Sequence, residues 1–586
     1  DQWGQLSGDR QGLLLLNKGK NPKEIESELA RLVAKHSTVK NNNDSEYALQ
    51  ALSDVHFNLD YNEKAMDVKT IRNLILLAVF LLLLGMVNFI NLSTAQSVER
   101  AKEIGIRKTL GSSKAELRWQ FLIETFLITV LAALLALLLL PLFLEVFKDF
   151  VPGELGDYKA YSSQILLFLA IFIPIVTLLA CFYPAWVLTG YAPISIMKNQ
   201  LHQNTHLSRT SVLRQGLTVF QFVIASVFLI CVWLVIQQTH FVLHRDVGIR
   251  KEAIIHFDIP GYYKNPEKTK VLKNQIASFP EIEAVSLSSL PPLTEGYNKV
   301  QVRLDNPRQK DLEIVDFDYR EGDLEYAEVY QFQLVSGRNI RELDSIQEVW
   351  ISEKAVEYLG FENPEEVLGQ TFNNGRRTIV GVLKNFDISS AHESLRPFMY
   401  VGSDKGFMLH LALDKKHPET WSKALDKVSN AFSEIFPNAT FDYSFYDKEI
   451  EKLYNTERQL SKLLQWAMGF SILIAGMGLF GLAVFTTNQR RKEIGIRKTL
   501  GASTGQIIYM LLKNLSKLVL MACVIAFPIA WYFMNKWLQN FVYRIEISPV
   551  VFLASTFVLL LIATLVLFSR GWYIASANPV DSLKDE

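Results

Sequence analysis

Seven long apolar runs alternate with polar stretches along the chain. Each run has about 20 mostly apolar residues, the length needed to cross the hydrocarbon core of a bilayer. The runs cover approximately residues 74–94, 121–144, 164–188, 216–238, 463–486, 511–534 and 549–571. Some, such as residues 131–144, are apolar on every helical face, whereas a surface helix of a soluble protein keeps a polar face. The pattern therefore predicts seven transmembrane helices.

The polar stretch between the fourth and fifth runs has the pattern of an α+β domain. Val300, Val302 and Leu304 alternate with other residues, as in a half-buried strand. Strand character recurs at residues 284–287 and 378–382, helical spacing appears at residues 271–276, and residues 349–359 change from strand to helix. We expect a mixed domain here, outside the membrane.

A helix is predicted where this domain meets the fifth run. Apolar side chains follow each other at spacings of four and three residues from Tyr446 to Leu464, and Glu457 alone interrupts the series. No Gly or Pro occurs before Gly469, so we expect one continuous stalk helix that carries movement between membrane and domain. An ordinary amphipathic helix beneath the domain is the alternative. The expected stalk residues are Ile450, Leu453, Leu460 and Leu464.

Basic residues concentrate in the short loops beside the apolar runs. Six lie in residues 100–118 and five in residues 490–498. Because cytoplasmic loops carry such an excess, residues 1–70 and 239–462 are expected outside and the C-terminal tail inside. The whole chain balances 60 basic against 60 acidic residues and has no separate basic face, which argues against a nucleic-acid partner.

Candidate chemistry is sparse. Cysteine occurs only within the apolar runs, at Cys181, Cys231 and Cys523. That placement excludes an external disulfide framework and a paired-cysteine zinc site. His392 and His410 are isolated, and the adjacent Glu365 and Glu366 do not make a glycosidase pair. We expect a non-catalytic chain without a metal site or cofactor.

Four polar residues lie within or near the ends of the runs. Asn88, Asn91 and Gln221 are expected to face protein, since intramembrane polar groups find partners there. Glu124 is expected at the cytoplasmic interface rather than in ion coupling, because the corresponding position of the second copy is Asn514.

An internal duplication covers the chain. Residues 102–111 recur letter for letter at 492–501, an offset of 390 positions, and both copies run in the same direction. The parallel orientation differs from the inverted repeats common in secondary transporters. Since the chain opens at Asp1 with an expected external region, we expect residues 1–70 to be the remnant of a larger domain in an eight-span protein.

The repeated segment is the main site candidate. Ser113 with Glu116, and Ser503 with Gln506, fit capping boxes, and Gly111 and Gly501 fit the residue after a helix end. We expect a short helix along the membrane surface, a glycine stop, and a capped helix rising into the bilayer. A simple basic anchor is the alternative, although any Lys/Arg mixture would serve as one. The candidate docking residues are Glu103, Ile104, Gly105, Ile106, Arg107, Lys108, Thr109, Leu110 and Gly111, with Glu493, Ile494, Gly495, Ile496, Arg497, Lys498, Thr499, Leu500 and Gly501.

These residues resemble the signature of FtsX/MacB permeases of ABC transporters. The exits at Pro193–Lys198 and Pro579–Lys584 share the resemblance, as do residues 336–338 and 382–387 of the external region. Two copies in one chain resemble the duplicated eight-span permeases common in Bacteroidetes. The expected fold class is an α-helical multi-pass membrane protein with α+β extracytoplasmic domains and two parallel repeats. The expected division is a domain remnant (1–70), a first FtsX-like unit (71–198), a linker and span (199–240), a MacB-like domain (241–445), and a stalk with the second FtsX-like unit (446–586).

The resemblance implies a permease subunit in the inner (plasma) membrane. Its loops would dock on a separate ABC ATPase subunit, in two copies, and ATP hydrolysis would move the periplasmic domains for export or extraction of a substrate. The chain has no G-x-x-x-x-G-K-[ST] phosphate loop, so ATPase activity is expected in the partner chain. Other expected partners are membrane lipid and a periplasmic adaptor or hydrolase. A non-transporting regulator of a cell-envelope hydrolase is the alternative, and an ion-driven secondary transporter is disfavoured.

Overall fold

The computed structural model describes residues 13–17, 19–36, 49–52, 68–147, 163–190, 205–261, 266–294, 299–305, 314–341, 347–489 and 491–576. The chain divides into two compact units, residues 1–83 and 84–586. The first unit holds helix α1, in which the Glu26 carboxylate accepts a hydrogen bond of 2.8 Å from the Leu49 N–H. The exits at Pro193 and Pro579 lie outside the described residues.

Helices account for most of the described chain. In chain order they are α1 Pro22–His36, α2 Val68–Thr109, α3 Lys114–Val146, α4 Ser163–Gly190, α5 Thr205–His244, α6 Pro266–Ala277, α7 Tyr326–Tyr330, α8 Glu353–Tyr358, α9 Trp421–Ile435, α10 Tyr446–Lys452, α11 Asn455–Gln489, α12 Arg491–Thr499, α13 Thr504–Leu538 and α14 Pro549–Ser576. Helices α2, α3, α4, α5, α11, α13 and α14 are long and apolar enough to cross a membrane. The seven predicted spans are thereby confirmed.

The membrane helices of the second copy form a bundle. Helices α5, α11, α13 and α14 pack around an apolar core that includes Phe222, Leu479, Val519, Leu559 and Leu567. Buried alanines, among them Ala225, Ala475 and Ala522, lie between the helices. Small residues let helix backbones approach closely in lipid, where packing replaces the hydrophobic effect as the source of association. Helices α3 and α4 pack mainly on each other.

Helix α2 contacts this bundle through polar and small residues. Asn91 Nδ2 donates a hydrogen bond of 3.1 Å to Thr218 Oγ1 on α5. Gly478 and Gly481 on α11 leave the space that Asn88 and Leu92 occupy, since a Cβ at either glycine would overlap them. Asn88, Asn91 and Gln221 are all buried, which confirms that these polar groups face protein.

The external domain is built on one mixed sheet, whose strands run from Ile254 to Phe445 along the chain. Its strands are β1 Ile254–Asp258, β2 Ile282–Ser288, β3 Lys299–Arg303, β4 Ile314–Gly322, β5 Leu334–Gly337, β6 Gln347–Ser352, β7 Thr371–Phe372, β8 Arg377–Leu383, β9 Phe398–Gly402, β10 Met408–Leu413 and β11 Ser444–Phe445. Their order is β11-β1-β10-β2-β4-β9-β6-β8-β5, with β3 beside β4 and β7 beside β8. The β4–β9 and β6–β8 pairs are parallel, and the other pairs are antiparallel. The α+β prediction and each strand named from the sequence are confirmed.

Three apolar clusters hold the sheet to its neighbours. One joins β1, β2 and β10 to α6 and α9 through residues such as Leu272, Ile276, Val428 and Phe432. A second lies under β6, β8 and β9 beside α8. The third contains Tyr326, Tyr330, Trp350 and Tyr400 of the domain together with Val242, Tyr446, Ile450, Tyr454 and Phe541. This third cluster joins the sheet to the ends of the membrane helices.

Two polar side chains, Arg320 and His410, are completely buried inside the sheet. Arg320 is 0% exposed, and its guanidinium donates to Asp318 Oδ1 at 2.7 Å and to the Pro291 carbonyl at 2.9 Å. His410 lies 2.7 Å from the Tyr330 hydroxyl, and complete burial lowers the pKa of the imidazole well below its usual value. His410 is thus a neutral core residue.

Candidate functional site: two basic segments and a membrane junction

The first basic segment (residues 103–111) and the second basic segment (residues 493–501) end their helices in the same way. Gly111 and Gly501 have φ values of +103° and +94°, a conformation that favours glycine. The Ser112 N–H donates 3.0 Å to the Arg107 carbonyl, and the Ala502 N–H donates 2.9 Å to the Arg497 carbonyl. These bonds satisfy carbonyls that a helix end leaves open. The predicted glycine stops are confirmed.

Each segment leads into a capped membrane helix. Ser113 Oγ accepts from the Glu116 N–H at 3.2 Å, and the Glu116 carboxylate accepts from the Ser113 N–H at 3.0 Å. Ser503 and Gln506 repeat both bonds at 3.3 and 3.0 Å. The capping boxes predicted for α3 and α13 are confirmed, and they fix the direction in which the chain leaves each glycine turn.

The two segments present the same residues to the surroundings. Ile104 and Ile494 are 4% and 3% exposed, whereas Leu110 and Leu500 are 81% and 82% exposed. Ile106 and Ile496 are exposed to 51% and 52%. Identical sequence thus produces the same surface twice, with one isoleucine turned inward and an isoleucine and a leucine turned outward.

One expectation about these segments is wrong. In the first copy there is no separate surface helix, because α2 runs without interruption from Val68 to Thr109 and includes the basic segment. Residues 95–102 hold no Gly or Pro, so nothing in the sequence stops the membrane helix there. In the second copy α11 is described up to Gln489 and α12 from Arg491, and residue 490 between them lies outside the described residues. Gly105, Gly495 and Lys498 lie within these helices.

Each basic segment contains an ion pair between two side chains of its own helix. Arg107 pairs with Glu103 at 2.6 Å on its own helix, and Arg497 pairs with Glu493 at 2.8 Å. Burial and the nearby Lys114 ammonium lower the pKa of Lys108. Glu124 lines a cleft with Glu103 and Arg107 at the end of the membrane helices, as expected for an interfacial position.

The opposite end of the bundle contains a second set of contacts, which we name the junction (residues 387–392 with Arg245, Tyr454, Glu457 and residues 540–543). Ala391 is its centre. Its N–H donates 2.9 Å to the Tyr454 hydroxyl beside the start of α11, and its carbonyl accepts 3.0 Å from the Val542 N–H after α13. A single loop residue of the external domain is therefore bonded to two membrane elements.

His392 adds a charged contact at the same place. Its Nε2 lies 2.9 Å from Glu457 Oε1, and its Nδ1 lies 3.0 Å from the Asn540 carbonyl. Both ring nitrogens face acceptors, so the doubly protonated ring satisfies both. The hydrogen bond to Glu457 raises the pKa of His392, against the opposing effect of burial. The imidazole also lies 4.2 Å from the Phe541 ring.

The C-terminal end of α5 and the residue that follows it also contact the junction. Arg245 forms an ion pair with Asp387 and lies over the Tyr543 ring at 3.4 Å from its centre. Gln238 donates 2.9 Å to the Tyr543 carbonyl and accepts 2.9 Å from the Ile545 N–H. Three membrane helices, α5, α11 and α13, thus meet the external domain within a few residues.

The predicted stalk is not one continuous helix. Helix α10 ends at Lys452 and α11 begins at Asn455. At the break the Leu453 N–H donates to the carbonyls of both Glu449 and Ile450. The Tyr454 side chain packs in the third cluster, and its hydroxyl accepts a hydrogen bond from the Ala391 N–H. Ile450 and Leu453 pack in that cluster, Leu464 packs against the membrane bundle, and Leu460 is half-buried.

Sequence reasoning missed the junction. His392 looked isolated because its partners lie 65 and 148 positions away. The one available signal was Glu457, a charged residue that interrupts an apolar series. Among the described residues, no group of three or more His, Cys, Asp or Glu side chains is placed to hold a metal ion.

Comparison with known proteins identifies the class. The family "FtsX-like permease C-terminal" matches residues 75–204 and 466–579, one match for each copy of the basic segment. A macrolide export ATP-binding/permease protein, MacB of Chromobacterium violaceum, is 25% identical over 153 residues, which is 25% of this chain and 23% of that protein. The chain therefore spans about a quarter of that relative's length.

Two solved structures are also similar. The periplasmic region of MacB from Actinobacillus actinomycetemcomitans shares 15% identity over 36% of this chain and 98% of its own, with a TM-score of 0.25. The extracellular domain of the ABC-type transporter YknZ from Gram-positive bacteria shares 15% identity over 33% and 97%, with a TM-score of 0.23.

The two matched ranges are FtsX-like permease regions in a multi-pass membrane protein. The chain thus matches the FtsX-like permease family in two regions, and the α+β domain lies between them.

Proposed function

We propose that this chain is the membrane subunit of an ABC transporter. In this proposal a separate ATPase subunit hydrolyses ATP beneath the membrane, and the chain converts the resulting movement into displacement of its extracytoplasmic domain. The displacement exports or extracts a substrate. Residues 103–111 and 493–501 form the ATPase-coupling surface, and Ile450, Leu453, Leu460 and Leu464 belong to the stalk that carries the motion.

The matched exposure of the two basic segments carries this proposal. A leucine side chain that is more than four-fifths exposed at a helix end gains almost no burial energy from the rest of the chain. Such a leucine lies at the same position of both segments, as Leu110 and Leu500. Exposed apolar residues beside basic ones are what a protein partner can bury. Two such surfaces favour two copies of the ATPase, one under each segment.

A single helix, α11, spans the distance between the second segment's end of the bundle and the external domain. Helix α11 has 35 residues, about 50 Å at 1.5 Å per residue, and joins the second segment's end of the bundle to the junction. A hydrogen-bonded helix resists compression, so displacement at one end reaches the other. At the junction Tyr454 and Glu457 engage Ala391 and His392, which lie on a loop of the external domain. We propose that this contact, together with the stalk, moves the domain.

The remaining parts of the proposal follow from the family. The divisions at residues 70, 198, 240 and 445 separate the external, FtsX-like and linking regions. Membrane lipid covers the exposed apolar faces of the spans, and an adaptor or hydrolase outside the membrane receives the domain's movement. The chain itself is non-catalytic in this proposal.

The test replaces both exposed leucines. We expect Leu110→Glu with Leu500→Glu to abolish co-purification of an ATP-hydrolysing subunit with the full chain, because the partner would have to bury two new carboxylates. The matched control is Val271→Glu, which places the same charge on an exposed apolar site of the external domain. The control should retain the ATPase. Undiminished ATPase binding by the double variant would reject the coupling surface.

A further inference from the structure

We propose that helix α13 holds an anionic lipid headgroup against Lys513 and Lys517, in the leaflet on the side of the basic segments. The two lysines lie one turn apart on a helix long and apolar enough to span the membrane, and both are exposed. This inference goes beyond the proposed function, because it concerns the lipid around the bundle and needs no ATPase subunit. It also distinguishes the two copies of the duplication.

The exposed face of α13 changes from polar to apolar along the helix. Tyr509, Lys513 and Lys517 follow one another at intervals of four residues, so they lie on one face. Buried residues such as Val519 and Ala522 turn the other face toward the bundle. The exposed residues that come next after Lys517 are all apolar, and they are Leu520, Met521, Val524 and Ile525. Lys517 is therefore the last charged residue before the lipid-facing part of the span.

The spacing along α13 places both lysines at the depth of the headgroups. Lys517 and Lys536 are 19 positions apart, about 29 Å along the helix, which matches a hydrocarbon core of about 30 Å. Residues 531–533, an exposed Trp-Tyr-Phe run, lie near the Lys536 end, as aromatic side chains do at a membrane boundary. Lys513 lies about 6 Å further out than Lys517, and the headgroup layer on each side is about 5–7 Å thick. The two lysines therefore span the headgroup layer.

No carboxylate in the described part of the chain balances these two charges. Helix α13 contains no Asp or Glu, and among the described residues neither ammonium group has an ion pair or a hydrogen bond. Like charges four residues apart on a helix destabilise it, and an ammonium group beside lipid is costly unless it reaches an anion or water. An anion between Lys513 and Lys517 reduces both costs. The Tyr509 hydroxyl, one turn further out, is a third donor on the same face.

The surroundings identify the occupant. At this depth the exposed face of a membrane-spanning helix contacts lipid, and the lipid phosphate is the anion within reach of the two ammonium groups. A zwitterionic headgroup brings its own cation, which the lysines repel. A headgroup with net negative charge, such as phosphatidylglycerol, brings none, and basic residues near the membrane surface bind such lipids more tightly.

The corresponding face of the first copy is apolar. Ile123 and Leu127 on α3 occupy the positions that correspond to Lys513 and Lys517, at the same offset of 390. They are exposed to 52% and 56%, so they also face the surroundings of the bundle. The same face of the same helix is therefore charged in one copy and greasy in the other. We infer that only the second copy holds the anionic headgroup on this face.

The test measures the binding of single lipids to the purified full chain in detergent, by native mass spectrometry during titration with phosphatidylglycerol or phosphatidylcholine. Lys513→Gln with Lys517→Gln should weaken the tightest phosphatidylglycerol binding about fivefold for each lysine and leave phosphatidylcholine binding unchanged. Lys513→Arg with Lys517→Arg keeps both charges and should keep the affinity. The matched control, Lys270→Gln with Lys423→Gln, removes the same charge from exposed sites of the external domain and should have no effect.

Salt gives a second measurement that needs no variant, since phosphatidylglycerol binding should weaken as salt rises while phosphatidylcholine binding changes little. Equal affinity of the unmodified chain for both lipids would overturn the inference, because the lysines would then reach only water. Undiminished phosphatidylglycerol binding by the glutamine variant would overturn it too. If that variant instead lost a co-purifying ATP-hydrolysing subunit, the lysines would belong to the ATPase contact. Absence of such a subunit from the unmodified chain would reject the proposed function and leave this inference standing.

Discussion

The contact between His392 and Glu457 should make attachment of the external domain depend on pH. The perturbation is Glu457→Gln, which preserves the side-chain shape and still offers an oxygen to the His392 N–H. In the parent the 2.9 Å hydrogen bond joins the His392 imidazolium to the Glu457 carboxylate. In the variant the acceptor is a neutral amide oxygen, so at most one of the two partners is charged. Glu457 is 9% exposed, so water replaces little of the lost interaction.

The size and sign of the effect follow from the geometry. A charge-assisted hydrogen bond is about twice as strong as a neutral one, so the substitution should cost about 1 kcal/mol at a half-buried site. The pKa of His392 is raised above its usual 6.5. Its contribution is therefore complete below that value and is lost as pH rises through the raised pKa. The variant and the parent should differ most below pH 6.5 and converge once the pH has risen past the raised pKa of His392.

Amide hydrogen exchange of the full chain measures this opening directly. Protection of residues 387–393, corrected for intrinsic rates, should fall about fivefold in Glu457→Gln at about pH 6, as expected for 1 kcal/mol. The matched control is Glu451→Gln, which removes an exposed ion pair with Arg458 and should change protection little. Equal protection in parent and variant across the whole pH range would refute the reasoning.

Three further results are expected. Gly481→Leu should lower the stability of the detergent-solubilised chain by about 1–3 kcal/mol, because the new side chain meets Leu92, whereas Gly476→Leu should be tolerated, because a Cβ added at Gly476 meets nothing within 4 Å. Arg320→Met should destabilise the external domain by about 3 kcal/mol in tryptophan-detected unfolding, because Asp318 stays buried, and an unchanged transition would contradict the buried ion pair. The pKa of His410 is lowered by burial, so its contribution to stability is present above pH 6.5 and is lost as pH falls. His410→Gln should flatten that acid loss in denaturant titrations.

Local patterns predicted most of the fold. The spans, the strands at residues 282–288 and 377–383, the glycine stops and both capping boxes depend on a few adjacent residues, and the structure confirms them. The stalk break was not predictable from spacing, because Tyr454 leaves the helix to meet Ala391, which is 63 positions away. Periodicity describes which face of a helix is apolar and contains no information about a distant backbone N–H.

The same limit applies to the site. Exact repetition identified the two segments, and their docking role stays a prediction. It could not indicate that Arg107 donates a hydrogen bond to Gln120 on the next helix, since that contact appears only when helix faces meet. The junction depended on three membrane helices that converge on one loop, and no single stretch of sequence contains that arrangement.

The packing of Asn88 against Gly478 has a consequence for how such a protein could arise. The two positions are 390 residues apart, the same offset that separates the basic segments, so each is the other's counterpart in the duplication. An asparagine at both positions would clash, because a Cβ at position 478 would already lie 2.5 Å from Asn88 Oδ1. Joining both halves in one gene permits a large residue on one side and none on the other.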